Sequence, residues 1–441
     1  MTTNFSALLI AAALLSGTVA SAQTILLKNA TVIDGTGHQP QLHTDILLQA
    51  DTIAAVGSRL KAPGATVVDL TGKTVMPALI SVHTHVGTLK GTTTNAVNYT
   101  RENILRQLQQ YADYGVLHVL AMGTDRPMLF ESGLRDSSMT GLLPGARLHS
   151  AGYGFGVPNG APPLEFGMDL VNRPATAADV APAMDKVAQL HPDVVKMWLD
   201  DFSGRFKKME PAVYQAVINE AHRHSIRVAS HLYYAADAQQ LADAGIDIFA
   251  HSIRDRDIDD KLLQTMKTKG IVYVPTLSLD EYAYIYARQP EWLHDEFFKR
   301  SLEPGVYEMI TSSEYKQQLE HSPAFAKNKA AFETALRNLR RIYRAGIFVA
   351  MGTDSGATPI RTQGFSEHLE LELMVQAGLT PLEAISVGTR NAAKVLKLPN
   401  TGTVARGQVA DLLVLADSPE KNIKNTRHIV TVYKAGKTIR P

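Results

Sequence analysis

Two histidines spaced one residue apart close an apolar run in this chain, Leu79-Ile80-Ser81-Val82-His83-Thr84-His85. On a β-strand, positions i and i+2 face the same way, so His83 and His85 point together. Two imidazoles side by side can close on one metal ion, and histidine is the commonest ligand for zinc-like metals. The chain holds a second such pair, His222-Arg223-His224, within residues 211–225. That stretch reads as a helix, where i and i+2 diverge by about 200°, so the pair is expected at a solvated helix end. Other chemically capable residues end other apolar runs. They are Lys196 in Asp193-Val194-Val195-Lys196-Met197-Trp198, His231 in Val228-Ala229-Ser230-His231, His251 in Ile248-Phe249-Ala250-His251, and Asp354 in Ala350-Met351-Gly352-Thr353-Asp354. Each alone has a plainer reading. A strand-end histidine commonly makes a hydrogen bond, a lysine in an apolar strand can snorkel, and an aspartate after Gly-Thr can cap a helix. Their joint placement at strand ends favours a metal centre.

Such residues need a scaffold that gathers strand ends. The middle of the chain alternates apolar strands with amphipathic helices, the pattern of βα units and a parallel sheet. Candidate strands are 79–83, 116–122, 147–151, 194–199, 227–231, 246–251, 271–275 and 347–352. They predict an α/β fold, a (β/α)8 TIM-like barrel with its active site at the C-terminal strand ends. Thr380-Pro381-Leu382-Glu383 reads as a capping box with proline in the first turn, and Gly378 ends the helix before it. Short strands between Gly/Asp turns in 24–76 suggest an antiparallel β-module, and 410–415, 429–434 and 437–439 match that style. The two ends are expected to pack together as one small β-sandwich domain. The expected boundaries are 1–22 for a signal peptide, 23–76 and 399–441 for the two sandwich parts, and 77–398 for the barrel. Residues 277–323, rich in Tyr, Trp and Phe, are too long for an ordinary βα loop and read as a helical lid over the barrel mouth. Gly152-Tyr153-Gly154-Phe155-Gly156 reads as a flexible rim loop. It lacks the strand–helix context of a dinucleotide fingerprint, so no such cofactor is expected there.

Composition narrows the function further. A net charge of +1 over 441 residues gives no argument for nucleic acid or an anionic membrane. The absence of cysteine excludes disulfides, thiolate nucleophiles and Cys-ligated zinc. Any metal must be held by histidine, carboxylate or a modified lysine. The apolar stretch 7–15 is too short to span a bilayer, which needs about 20 residues. It is followed by Ser16-Gly17 and by Ala20-Ser21-Ala22 before Gln23. This reads as a secretory signal peptide with a small-x-small cleavage site, although no Lys or Arg precedes the apolar core. Export to a periplasm or the outside is expected.

With these motifs the chain resembles the amidohydrolase superfamily, in its imidazolonepropionase-like and Xaa-dipeptidase (prolidase-like) branch. The resemblance spans nearly all of the expected mature chain. It includes the His pair after Val75-Met76-Pro77, Lys196, the single His231 and His251, and Thr353-Asp354. It continues through Glu367-His368, Ala377-Gly378-Leu379-Thr380-Pro381, Thr389-Arg390-Asn391-Ala392-Ala393, Gly402-Thr403-Val404 and Ala410-Asp411-Leu412. The family usually has Pro-Gly-Leu-Ile-Asp before the pair, where this chain has Pro77-Ala78-Leu79-Ile80-Ser81. Neither changed position is a usual ligand.

The resemblance implies a site with two divalent ions, of the Zn2+ type. His83, His85 and Asp354 would hold one and His231 and His251 the other. Lys196, carboxylated by carbon dioxide, would bridge them. Burial lowers a lysine's pKa, and the neutral amine can form a carbamate that offers anionic oxygens. Asp354 would move the proton from the attacking water to the leaving amine. Tyr233 is a candidate donor to the developing oxyanion, with aromatic packing as its alternative. Arg254 could grip a substrate carboxylate bidentately, or belong to a self-paired loop with Asp255, Arg256 and Asp257. His368 is expected to make a structural hydrogen bond. The activity implied is exported, metal-dependent hydrolysis of an amide bond in a dipeptide or N-acyl amino acid. Cyclic amides, lactones and other esters are the alternative on the same centre. The partner implied is a small-molecule substrate, not nucleic acid and not a membrane. A homo-oligomer is compatible with these residues and not fixed by them.

Overall fold

The computed structural model describes residues 23–164 and 167–440. The expected signal peptide, 1–22, lies outside the described residues. Two parallel sheets form the centre of the fold. One has the order Arg147–Ser150, Val116–Ala121, Leu79–Thr84, and the other runs Val195–Trp198, Val228–His231, Ile248–Ala250, Val272–Val274. Their strands are buried along almost their whole length, as strands covered on both faces must be. Where the ladders stop, isolated parallel bridges span the seams: Phe155↔Met197, Tyr273↔Val349 and Thr84↔Ser355. The eighth expected strand, 347–352, is such a seam. Its backbone bonds both neighbours, Tyr273 N donating to Phe348 O and Val82 N to Met351 O, without forming a ladder of its own.

Gly152–Gly156 departs from its expected role as a flexible rim loop. It carries a seam: Phe155 N donates to Lys196 O and Trp198 N to Phe155 O, at 2.8 and 2.9 Å. Phe155 is fully buried. A Cβ on Gly154 would lie 2.4 Å from the Trp198 ring, so glycine is what lets the segment press against the wall.

The terminal strands join in one eight-stranded sheet. Thr74–Pro77 pairs antiparallel with Leu412–Leu415, bringing the two ends of the chain together. The sheet is mixed, in place of the antiparallel module expected. Thr24–Val32 pairs in parallel with both Thr66–Asp69 and Thr74–Pro77, because the hairpin Gln41–Gln49/Thr52–Gly57 occupies its other edge and the chain crosses back. Its apolar face has a core of its own, with Leu27, Val32, Ile46, Val75 and Leu412 fully buried. Arg147 at the start of a barrel strand pairs with Asp411 at 2.7 Å and ties this sheet to the barrel.

The segment after Val272–Val274 also differs from expectation. Only its first helix, Leu277–Tyr282, and the residue Ala283 reach the central cavity. Its aromatic residues pack inward. Tyr282 and Tyr286 stack at 5.6 Å, Trp292 meets both, and Phe298 lies 4.9 Å from Phe365 of the helix Phe365–Gln376. They bury large apolar area against outer helices instead of covering the mouth. The capping box at Thr380 is present, with Glu383 N donating to the Thr380 hydroxyl.

Candidate active site

The C-terminal ends of the strands surround a cavity of about 390 Å³. His83 is the next-to-last residue of Leu79–Thr84 and His85 follows the strand. Their Nε2 atoms lie 3.2 and 3.0 Å from the same atom, Oδ1 of Asp354. Lys196 points inward from the second position of Val195–Trp198, its Nζ 3.4 Å from His83 Nε2. The ring of His251 lies 4.5 Å from that of His83 and 4.3 Å from that of His231. All six residues foreseen as metal ligands are therefore brought to one place. His83, His251 and Asp354 each offer a ligand atom within 4.8 Å of the others.

The backbone is shaped to hold them. His251, Thr276 and Asp354 all adopt positive φ, at 110°, 54° and 60°. Side-chain-bearing residues avoid this region, so local strain collects where the chemistry would be. Glu367 braces the Asp354 turn from below, accepting hydrogen bonds from Thr353 Oγ1 at 2.7 Å, Ser355 Oγ at 2.9 Å and Gly364 N at 2.9 Å. A Cβ on Gly352 would lie 2.5 Å from that of His83, so this strand end can approach only as glycine.

Electrostatics suit the binding of a cation. Burial drives the imidazole of His83 down to about 3 and that of His251 well below the usual value, so both are neutral bases. Burial also pulls the Lys196 amine down to about 7, against the attraction of Asp354. For Asp354, burial alone would raise the carboxyl. The Arg361 guanidinium, with hydrogen bonds from His83 and His85, outweighs it and holds the group well below the carboxylate range. The outward nitrogens are also placed: His85 Nδ1 meets Thr124 Oγ1 and His251 Nδ1 meets Thr276 Oγ1, both at 2.9 Å. Neutral imidazoles and a carboxylate, oriented by outer partners, are a donor set that fits a zinc-like divalent ion.

Tyr233 lines the cavity with its ring 4.6 Å from the Arg254 guanidinium and 5.4 Å from Lys327 Nζ. Arg254 also lines the cavity, but its Nε donates to Asp280 Oδ1 at 2.8 Å and its Nη1 to Ser252 O. Of the self-paired loop only Arg256 with Asp255 is realised; Asp257 pairs outside the run, with Arg337. His368 makes two buried hydrogen bonds, to Thr426 and to the carbonyl of Tyr114. His222 and His224 lie at a helix end and meet Asp247 and Asp185.

Three residues at the site escaped sequence reasoning. Arg361 bonds Asp354 Oδ2, Asp280 holds Arg254, and Asp200 bonds His231. Arg361 and Asp200 lie on irregular loops and Asp280 in the short helix Leu277–Tyr282, and only their short distance after Lys196, Asp354 or a strand end could have flagged them. Among the described residues, no helix is long and apolar enough to cross a membrane.

Parallel βα units with polar side chains gathered at the C-terminal strand ends define an α/β-barrel enzyme. The chain belongs to the amidohydrolase family, whose model matches residues 74–439. Over 243 residues it is 27% identical to the ochratoxinase of Aspergillus niger, a match covering 54% of this chain and 43% of that protein. The chain thus spans less than half the length of that curated relative. Over 90 residues it is 44% identical to the imidazolonepropionase of Deinococcus deserti, covering 20% of this chain and 22% of that one. Among solved structures, a Xaa-Pro dipeptidase with bound methionine superposes with a TM-score of 0.74 at 21% identity, covering 95% of this chain and 100% of the other. At that identity the likeness is one of fold.

Proposed function

We propose that this protein is an exported, metal-dependent hydrolase that cleaves the amide bond of a small substrate, a dipeptide or an N-acyl amino acid. The observation that carries the reading is the convergence of His83 and His85 Nε2 on one oxygen of Asp354, beside Lys196. His83, His85, Asp354, His231 and His251 would hold two ions, with Lys196 as a carbamate between them. Bound divalent ions would supply an acidified water and a polarised carbonyl. The chain's own residues do the rest. Asp354, kept ionised by Arg361, accepts the proton of the attacking water as its oxygen bonds the carbonyl carbon. It returns that proton to the nitrogen as the C–N bond breaks. The Tyr233 hydroxyl, at the cavity wall, donates to the carbonyl oxygen as charge develops there. Trp198, Phe202 and Met168 give the cavity an apolar wall for an acyl group or side chain. Arg254 and Arg205 line the same cavity and favour a substrate that carries a carboxylate.

The test uses residues 23–441, with bound metal measured by elemental analysis. Hydrolysis is screened over dipeptides, N-acyl amino acids, cyclic amides and lactones. The expected result is zinc-like metal with amide cleavage, both lost in His83→Ala. Metal with turnover of lactones or cyclic amides alone would replace the amide reading, and full activity without metal would overturn the mechanism. Export is tested by the N-terminus of the secreted protein, expected at Gln23.

A further inference from the structure

His231 differs from the other imidazoles of the site in its outer partner. The Nδ1 atoms of His85 and His251 meet the hydroxyls of Thr124 and Thr276. A hydroxyl donates or accepts, so it tolerates either ring tautomer. His231 instead places its Nε2 3.1 Å from Oδ2 of Asp200, with both side chains nearly buried. A carboxylate accepts hydrogen bonds, so this contact places the proton on Nε2 and leaves Nδ1 as the nitrogen with a free lone pair.

The loop after Val195–Trp198 is built to make this contact. Phe202 stacks on the His231 ring at 5.4 Å with the planes 4° apart. Phe202 and Ser203 both take positive φ, 51° and 63°, which folds the loop back over the ring. The neighbouring Asp201 accepts a hydrogen bond from the Tyr234 hydroxyl at 3.0 Å, a second grip on the same stretch that does not touch His231.

We infer that Asp200 is a positioning residue that fixes His231 in the Nε2-protonated tautomer, reserving Nδ1 for an ion. The inference rests on the metal-dependent reading above. It implies that the two ions are held unequally, the one on His231 depending on Asp200.

Two measurements test it. Long-range proton–nitrogen spectra of the metal-free, 15N-histidine protein, with His231 assigned by its loss in His231→Gln, read the tautomer directly. Nε2–H is expected, and Nδ1–H would overturn the inference while leaving the hydrolase reading intact. Zinc affinity is then measured by chelator competition in the wild type, Asp200→Asn, Asp200→Ala and Asp201→Asn. Asparagine keeps an accepting oxygen and loses the charge, whereas alanine loses both. The expected order is a weakening of one ion by ~10-fold in Asp200→Asn and by ~100-fold in Asp200→Ala, with the other ion unmoved. Asp201→Asn should match the wild type. Unchanged affinity in Asp200→Ala, or equal loss in Asp201→Asn, would overturn the role of Asp200. Absence of zinc from the wild type itself would instead overturn the metal-dependent reading, with the spectra still deciding the tautomer.

Discussion

The amine of Lys196 stands 3.4 Å from Nε2 of His83, in a place where neither group can keep a proton at low cost. Burial holds the amine at about 7 in the fold, against 10.5 when unperturbed. Between these values the unfolded chain binds the extra proton, so this group makes the metal-free fold more stable as pH rises through that window. The stabilisation is fully present above the unfolded value and lost as pH falls through the folded one. Thermal melts of the metal-free protein should show this rise, and Lys196→Met should flatten it. Lys196→Arg, which cannot form a carbamate, should lower amide hydrolysis by at least the ~10–100-fold that losing an outer partner costs, with loss of metal.

Thr276 holds the outward nitrogen of His251, and Thr124 does so for His85. Replacement by valine keeps the shape and removes the hydroxyl. Thr276→Val and Thr124→Val should each weaken metal binding ~10-fold or more, measured by chelator competition, with little change in secondary structure by circular dichroism.

Arg361 keeps Asp354 ionised in a buried setting. Arg361→Met removes the main attraction that opposes burial, so the carboxyl should protonate at higher pH. The acid limb of kcat/KM should move upward relative to the wild type. An unmoved limb would show that Asp354 does not govern it.

Tyr233→Phe keeps the ring that lies under Arg254 and removes the hydroxyl. Loss of one donor to the developing oxyanion costs ~100-fold or more in kcat. A change confined to KM would assign the residue to binding instead.

Away from the site, Glu281 is buried with Oε2 unpartnered. Burial, with Glu372 nearby, pushes its carboxyl up to about 8 from 4.5. The folded chain therefore binds the extra proton in that window. Its stabilisation is fully present below the unfolded value and lost as pH rises through the folded one. Glu281→Gln should lessen the decline in melting temperature over that range.

The strand-one pair was legible because period two holds on any strand, and the structure does turn both rings to one atom. His231, His251 and Asp354 were legible because each follows or closes an apolar run, and Lys196 because it is the one charge inside such a run; parallel strands then bring them together. Asp200 and Arg361 were not, because they sit on loops whose paths depend on positive-φ turns such as Phe202 and Ser203. No periodicity announces those. The aromatic stretch after Val272–Val274 misled in another way, since Tyr282, Trp292 and Phe298 would be equally aromatic in a lid or in a core. The parallel pairing of Thr24–Val32 was hidden by local turns that look the same in an antiparallel meander.

Thr74–Pro77 lies between Thr24–Val32 from one end of the chain and Leu412–Leu415 from the other, and it runs directly into the strand that carries His83. A ribosome must therefore reach Leu412–Leu415 before this strand can be flanked on both sides. Contacts so distant in sequence form late. Until then Thr74–Pro77 keeps one open edge, and a truncation upstream of Leu412 would leave it so, immediately before the strand that carries His83.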